Sequence, residues 1–520
     1  MQPDTTNELF DIAFDLVNNT TRNLFLTGKA GTGKTTFLSH VQQQGRKQSV
    51  TAAPTGVAAI NAGGVTLHSF FQLPFQPYIS EGGFTNGATS NRYDLLSKIR
   101  FNSDKIELLN DLELLIIDEV SMLRADMLDA IDDILRHFRK NMHEPFGGVQ
   151  VLLIGDLFQL PPVVGDNEWR VLQDVYESPF FFSAKVIREN PPLFIELKKI
   201  YRQSEQRFIT LLNNIRNNAV EEYDLQLLEE RYEPDAQDTD ENCITLCTHN
   251  YKADEINQYR LNRLEAELHT FSAEIKGEFS DKAYPTEEKL PLKVGAQVMF
   301  LKNDPDKRYF NGKLAVIKAI KENSITVEMD GSGDELVLQK EKWQNIRYVL
   351  NRETNRIEEE EIGSFTQYPI RLAWAITIHK SQGLTFDKAI IDAGKSFAAG
   401  QVYVALSRCR TLEGVSLLSR IQGNSIKNDE RIIEFASSEN DIEEIKEILV
   451  REKPGFAAKV LVNTFNWNKL IIQLNAFYDI TRAKNLPDKE KLHQIVKGLV
   501  EKANEQKIVA DKFTAQLKYI

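Results

Sequence analysis

The stretch LFLTGKAGTGKTT at residues 24–36 sets Gly28, Gly33, Lys34 and Thr35 at the offsets of a Walker A phosphate loop. Residues without side chains let successive backbone N–H groups face one anion, and a helix opening at Gly33 adds its positive end to the same place. The residues expected to hold a triphosphate are Gly28, Ala30, Gly31, Thr32, Gly33, Lys34, Thr35 and Thr36. A second stretch, LLIIDEV, ends an apolar run on two acids. Asp118 is placed to bind Mg²⁺ together with the Thr35 hydroxyl, and Glu119 to orient or activate the attacking water. A third, GDLFQLPPV at 155–163, closes another apolar run with Asp156 and Gln159, and Gln159 can sense the γ-phosphate. Arg202 in KKIYRQ and Arg408 in VALSRCR sit where one α/β unit can face another. An arginine offered across a cleft stabilises charge on the leaving phosphate, an effect of roughly 10³ to 10⁵ in rate.

Such groups need strands that end together. Apolar runs alternate with helical patterns from residue 7 onward: NELFDIAFDLVN as an amphipathic helix, then LFLT, SVTAAPT, LELLIID and VQVLLIGD as strands with helices between them. That rhythm predicts a parallel sheet. The Pro-, Gly-, Ser- and Asn-rich stretch 66–100 interrupts it and reads as a surface insertion. A second cycle follows with CITLCT, YKADEINQYRLNRL, WAITIHKSQG, KAIIDAG and QVYVALSR. Inside it, QVMFL, AVIKAI, SITVEM and ELVLQ, punctuated by Asn311-Gly312 and Asp330-Gly331, predict an antiparallel barrel over 291–362. From 438 the pattern is helical, with breaks expected at Pro454-Gly455 and near Pro487. The expected boundaries are 1–185 for a first α/β domain, 186–290 plus 363–437 for a second, 291–362 for the insert and 438–520 for a helical region.

A chain of 520 residues is too long for one core. With 42 % hydrophobic and 27 % charged residues and no apolar run near the length of a membrane span, no membrane is expected. The polar start MQPDTTNELF predicts no signal peptide. Cys243, Cys247 and Cys409 are too few for a disulfide framework, and Cys243 and Cys247 share one face of a strand, so core cysteines in a reducing compartment are expected, cytoplasmic in a bacterium or otherwise intracellular. The net charge of −12 argues weakly against a generic nucleic-acid binder, yet residues 451–520 carry 13 Lys/Arg against 7 Asp/Glu.

The set GKAGTGKT, APTGVAAINAGGVTLHSFF, IIDEVSML, PFGGVQVLLIGDLFQLPPV, YRQ, WAITIHKSQGLTFD and VYVALSRCR resembles the Pif (petite integration frequency) family of DNA helicases, in superfamily 1 group B and related to RecD. The resemblance covers residues 22–203 and 367–420, and PFGGVQ is its most specific segment. It implies an α/β fold of two RecA-like P-loop domains with parallel sheets, an inserted SH3-like β-barrel and a C-terminal helical region. The activity implied is ATP- and Mg²⁺-dependent 5′-to-3′ movement of a monomer on single-stranded DNA and unwinding at single-strand/duplex junctions, in genome maintenance. By position, Lys34, Thr35, Asp118, Glu119, Gln159, Arg202 and Arg408 match the family's catalytic set, with Thr35 and Asp118 at the metal and Gly383 added at the nucleotide. Pro54, Thr55, Gly56, His68, Ser69, Phe70, Phe75, His379, Lys380 and Ser381 match segments that contact DNA. The loop QLPFQPYI at 72–79 stands where the family splits the duplex, with Phe70, Phe75 and Tyr78 as stacking platforms or wedges. For the glutamine that reads adenine ahead of the loop, Gln2 is the sole upstream candidate. Two alternatives stay open: a translocase that moves without separating strands, and a nucleotide-switch binding protein. The choice among G-quadruplexes, forks and RNA–DNA hybrids is open as well.

Overall fold

The computed structural model describes residues 8–29, 31–81, 89–199, 205–236, 243–304, 306, 308–321, 324–329, 333–392, 400–421, 426, 428–483 and 487–517, and every count below refers to these. The chain divides into two units, Met1–Ala13 with Arg22–Asn440, and Phe14–Thr21 with Asp441–Ile520.

In the first unit, β1 (Leu24–Gly28), β2 (Ser49–Ala53), β3 (Val65–Thr66), β4 (Leu114–Ile117), β5 (Gln150–Ile154) and β6 (Leu193–Leu197) form one sheet in the order β3-β2-β4-β5-β1-β6. All of its pairings are parallel. Strands β1, β4 and β5 are buried throughout, as continuous apolar runs covered on both faces must be. Because β4, β5 and β1 are neighbours, the phosphate loop, Asp118-Glu119 and the Asp156–Gln159 turn leave adjacent strand ends on one side of the sheet. This is the edge at which doubly wound sheets bind ligands.

Pairing of β6 with β1, from Leu24↔Leu193 to Gly28↔Leu197, corrects the expected boundary at 185. The first sheet extends to residue 197 because FIEL completes the cover over β1. The reading of 66–100 as a surface insertion also needs correction. Leu67, Phe70, Phe71, Leu73, Tyr78, Leu95 and Ile99 all join the main core, and residues 82–88 lie outside the described set.

The anchor for that segment is the helix Ala125–Phe138, which carries four buried aspartates. Asp126 accepts the Tyr78 N–H at 2.9 Å, and Asp133 accepts the Tyr78 hydroxyl at 2.5 Å and the Ser80 hydroxyl at 2.6 Å. Asp132 accepts the N–H of Phe146, which holds the PFGG turn with Phe146 at φ +53°. Asp129 accepts from the Tyr176 hydroxyl at 2.9 Å and from the N–H groups of Lys185 and Val186, both at 3.0 Å. Asp129→Ala strands three donors at once, two of them buried, so a loss of about 3 kcal/mol is expected, read as an earlier urea midpoint.

The second α/β lobe is built on β7 (Ile244–Cys247), and into it the chain inserts β8 (His269–Ser272), β9 (Glu274–Gly277), β10 (Lys289–Leu292), β11 (Gln297–Phe300), β12 (Leu314–Lys321), β13 (Ser324–Met329), β14 (Glu335–Leu338), β15 (Glu341–Asn351), β16 (Arg356–Gln367) and β17 (Ile370–Leu372). Strands β18 (Ala375–Thr377), β19 (Ala389–Asp392) and β20 (Val415–Leu417) then complete a parallel sheet ordered β18-β7-β19-β20. Cys243, Cys247 and Cys409 are buried and form no disulfide.

The insert differs from a single barrel over 291–362. One antiparallel sheet, β14-β13-β12-β11-β17, borrows β17 from beyond the expected end and has its own core around Leu290, Val298, Phe300, Ile317 and Val327. A separate sheet, β15-β16-β9, carries a long hairpin whose Tyr348 hydroxyl accepts the Thr51 N–H at 3.3 Å and whose ring meets Phe70 edge-on. Eleven paired positions outrun the small sheet, so the hairpin packs elsewhere. Asn311-Gly312 turns the chain into β12, with the Gly312 N–H on the Phe300 carbonyl, while Asp330-Gly331 lies outside the described residues.

The second unit holds the helices Ile442–Thr464, Asn468–Ala483 and Lys489–Leu517. The expected break at Pro454-Gly455 does not occur, because Pro454 sits inside the first of these helices. Val450 and its neighbours face solvent there, so water can serve the carbonyl that proline leaves unpaired. Among the described residues no helix is long and apolar enough to cross a membrane.

Candidate active site

Strand β1 hands the chain to the helix Lys34–Gln44 through a turn whose last residue, Gly33, takes φ +96° as the N-cap. A side chain would strain that conformation, which is why glycine precedes the lysine. The Lys34 amine donates to the carbonyls of Gly28 at 2.5 Å and Lys29 at 3.2 Å, inside the curve of the loop. Thr32 is buried with its hydroxyl on the Lys29 carbonyl, whereas Thr35 is exposed at the helix start and Gly31, Gly33 and Thr36 are partly exposed. Ala30 and Arg202 lie outside the described residues, as does Gln2.

Asp118 and Glu119 follow β4, and Glu119 is held at φ +50°, a left-handed conformation that costs a non-glycine residue about 1–2 kcal/mol. Burial pushes the Asp118 carboxyl up, against the pull of the Glu119 N–H and the Lys34 charge. Burial and the neighbouring Asp118 charge push Glu119 up to about 7, while Lys34 and Arg408 pull it down. A carboxyl poised there suits a general base. Next along the sheet, buried Asp156 accepts the Phe158 N–H at 3.2 Å and the Gln159 side-chain amide at 3.3 Å.

The second lobe meets this edge directly. Gly400 caps the helix Gln401–Leu406 at φ +81°, and a Cβ there would stand 2.5 Å from the carbonyls of Phe158 and Gln159. Only glycine permits that approach. The Gln382 amide reaches the Gln159 side-chain oxygen at 3.5 Å. Arg408 is 1 % exposed, with Nε on the Val404 carbonyl and Nη2 on the Ser407 hydroxyl, both at 2.9 Å. Burial lowers its pKa, and the charges of Tyr403, Glu119 and Asp156 raise it, so the guanidinium lies within the field of the acids. Gly383 is exposed at φ +76° with open space beside it.

The residues expected to touch DNA divide by exposure. Thr55 caps the helix Gly56–Asn61 by accepting the Ala58 N–H, and it and Pro54 and Gly56 remain partly exposed. Ser69, His379 and Lys380 are partly or fully exposed, and Phe75, 86 % exposed, stacks on His68 with centroids 5.6 Å apart. Three others are covered. Phe70 is 5 % exposed, Tyr78 is wholly buried on Asp133, and the buried Ser381 hydroxyl donates to the Ile378 carbonyl. Tyr78 is core because its polar end finds a carboxylate 55 residues downstream. The sequence reading also missed Arg216, buried beside Asp156. The signal was its spacing, since Phe208, Leu212 and Arg216 follow at four-residue steps on the apolar face of one helix.

Two parallel α/β lobes that close over a Walker A loop define a RecA-like P-loop fold, the architecture of nucleotide-dependent motors. Residues 4–226 match the model of the PIF1-like helicase family, and 448–520, which the motifs left outside the resemblance, match a model described as DNA helicase, middle domain. The ATP-dependent DNA helicase Pif1 of a Psychrobacter species is 35 % identical over 464 residues, covering 78 % of this chain and 67 % of that protein. The crystal structure of Bacteroides sp Pif1 in complex with ADP-AlF4 is 44 % identical, with a TM-score of 0.76 over 84 % of this chain and 97 % of that one. Bacteroides Pif1 bound to single-stranded DNA has the same identity and coverage at a TM-score of 0.58. The chain belongs to the PIF1-like helicase family.

Proposed function

We propose that this chain is an ATP-dependent DNA helicase that moves 5′ to 3′ along single-stranded DNA and separates duplexes at junctions, in genome maintenance. The observation that carries the reading is the seating of Gly400 on the Phe158–Gln159 turn with Arg408 in the field of Glu119, which makes one site out of two lobes. Lys34 and the loop amides fit a triphosphate, and Asp118 with Thr35 fits Mg²⁺, which usually needs few protein ligands beside phosphate oxygens. Bound together, these groups supply the phosphoryl bond whose cleavage does the work. Glu119 orients the attacking water and takes its proton, Gln159 senses the γ-phosphate, and Arg408 offsets charge on the departing phosphate. Closure and reopening of the two lobes around those residues would shift Thr55, His68 and Phe75 relative to His379 and Lys380, advancing a strand held across both. Hydroxyls, backbone amides and stacked rings grip DNA without regard to sequence. Resemblance to the family supports the polarity and action as a monomer, and three buried cysteines without a disulfide support an intracellular setting.

Unwinding of 5′-tailed and 3′-tailed duplexes with ATP tests activity and direction together. Separation of the 5′-tailed substrate alone is expected, with hydrolysis stimulated by single-stranded DNA. Slow hydrolysis indifferent to DNA, with neither duplex opened, would instead identify a nucleotide switch.

A further inference from the structure

Arg216 ends the helix Gln206–Arg216 at 6 % exposure, and none of the roles above uses it. Its Nη1 donates to Glu196 Oε1 at 2.7 Å, its Nη2 stands 3.9 Å from Asp156 Oδ1, and its guanidinium carbon lies 4.3 Å from the Phe158 ring centroid. Both acids belong to the nucleotide edge. Glu196 pairs in register with Thr27, one residue before the phosphate loop. Asp156, wholly buried, holds the Phe158 N–H on one oxygen and the Gln159 amide on the other. A buried carboxylate needs a counter-charge, and Arg216 is a buried cation within ion-pair distance of it. The charges of Arg216, Glu196 and Asp156 all act on Lys29 of the loop, so the cluster borders the phosphate site. Two acceptors and a ring face around one planar fork also explain an arginine here in preference to a lysine. The Arg216 Nε is buried without an acceptor, so the side chain's place is set by these contacts and not by satisfying every donor.

We propose that Arg216 is a positioning residue for ATP hydrolysis: it balances Asp156 so that the 156–159 turn presents Gln159 to the γ-phosphate, and through Glu196 it ties that turn to the strand that carries the loop. This rests on the ATPase reading above. Arg216 acts through Asp156.

The test is steady-state ATPase at saturating single-stranded DNA, with binding of a fluorescent ATP analogue, for the wild type, Arg216→Gln, Arg216→Lys, Asp156→Asn and the Asp156→Asn/Arg216→Gln double variant. Arg216→Gln should lower kcat roughly 10- to 100-fold, the scale on which orienting partners act, with the KM for ATP and analogue affinity within about threefold of wild type. Arg216→Lys should recover part of the rate. In the Asp156→Asn background, Arg216→Gln should add nothing further, since the charge it serves is gone. The double variant leaves no unpaired charge at position 156, so it reports on that coupling should Arg216→Gln alone fail to fold. Wild-type kcat in Arg216→Gln, or effects that add independently in the double variant, overturns the inference and leaves the ATPase reading intact. A wild-type protein without ATPase activity overturns both.

Discussion

Lys34→Ala is expected to abolish ATP hydrolysis, lowering kcat by at least about 10²- to 10³-fold, the scale for removing one preorganised group from a developing charge. The Lys34 amine already lies within the loop's curve, on the Gly28 and Lys29 carbonyls. Its charge acts on Asp118 and Glu119, so it faces both the phosphate position and the acids that must stay ionised. Its loss removes a phosphate contact and a brake on the upward pKa shifts of both carboxyls. Folding should survive, because alanine is a strong helix former and the amine's hydrogen bonds to Gly28 and Lys29 stay within the loop itself. Phosphate release assayed beside far-UV circular dichroism separates the two effects. Retention of more than about a tenth of the wild-type rate would rule out a direct role for the amine in the transition state.

The placement of the candidate site was legible wherever it is encoded locally. Gly33 before Lys34, two acids closing LLII and a turn closing VQVLLI are all set by spacing within a few residues, and the sheet order brings the three ends together. Assignments that depend on distant partners were not legible. LFIEL can join either sheet on composition, and its pairing with β1 is fixed by contacts 169 residues apart, Leu24 with Leu193. Phe70, Phe75 and Tyr78 are three aromatics within nine positions, yet two are covered and one is free, because Tyr348, Asp126 and Asp133 decide their fates from elsewhere in the chain. Arg216 reads as a surface charge until the helix is seen to turn it inward onto Asp156. A proline is better tolerated where the carbonyl it leaves unpaired can reach water, and Pro454 lies on a solvent-facing helix.

Arg408→Ala is expected to lower turnover roughly 10³-fold or more while leaving ATP-analogue binding in place, the signature of an arginine that acts on the transition state. The structure makes this a sharper experiment than a surface arginine would allow. Arg408 is buried in its own lobe, bonded to Val404 and Ser407 and 3.4–3.5 Å from the carbonyls of Ser381 and Leu384, so it also braces the turn that carries His379 to Gly383. Truncation removes one donor from each of those acceptors, although the Val404 carbonyl keeps the Ser407 hydroxyl and the Ser381 carbonyl keeps the Leu384 N–H, so a cost of about 1–3 kcal/mol is expected and lobe stability must be followed alongside activity. Arg408→Lys divides the two functions, because an ammonium keeps the charge that Glu119 and Asp156 experience but lacks the fork that bonds several acceptors at once. Partial turnover in the lysine variant, with none in the alanine variant and binding retained in both, assigns the loss to charge at the departing phosphate. If binding collapses together with the second lobe's melting transition in both variants, Arg408 is a brace, and the charge on the leaving group must be offset by another residue.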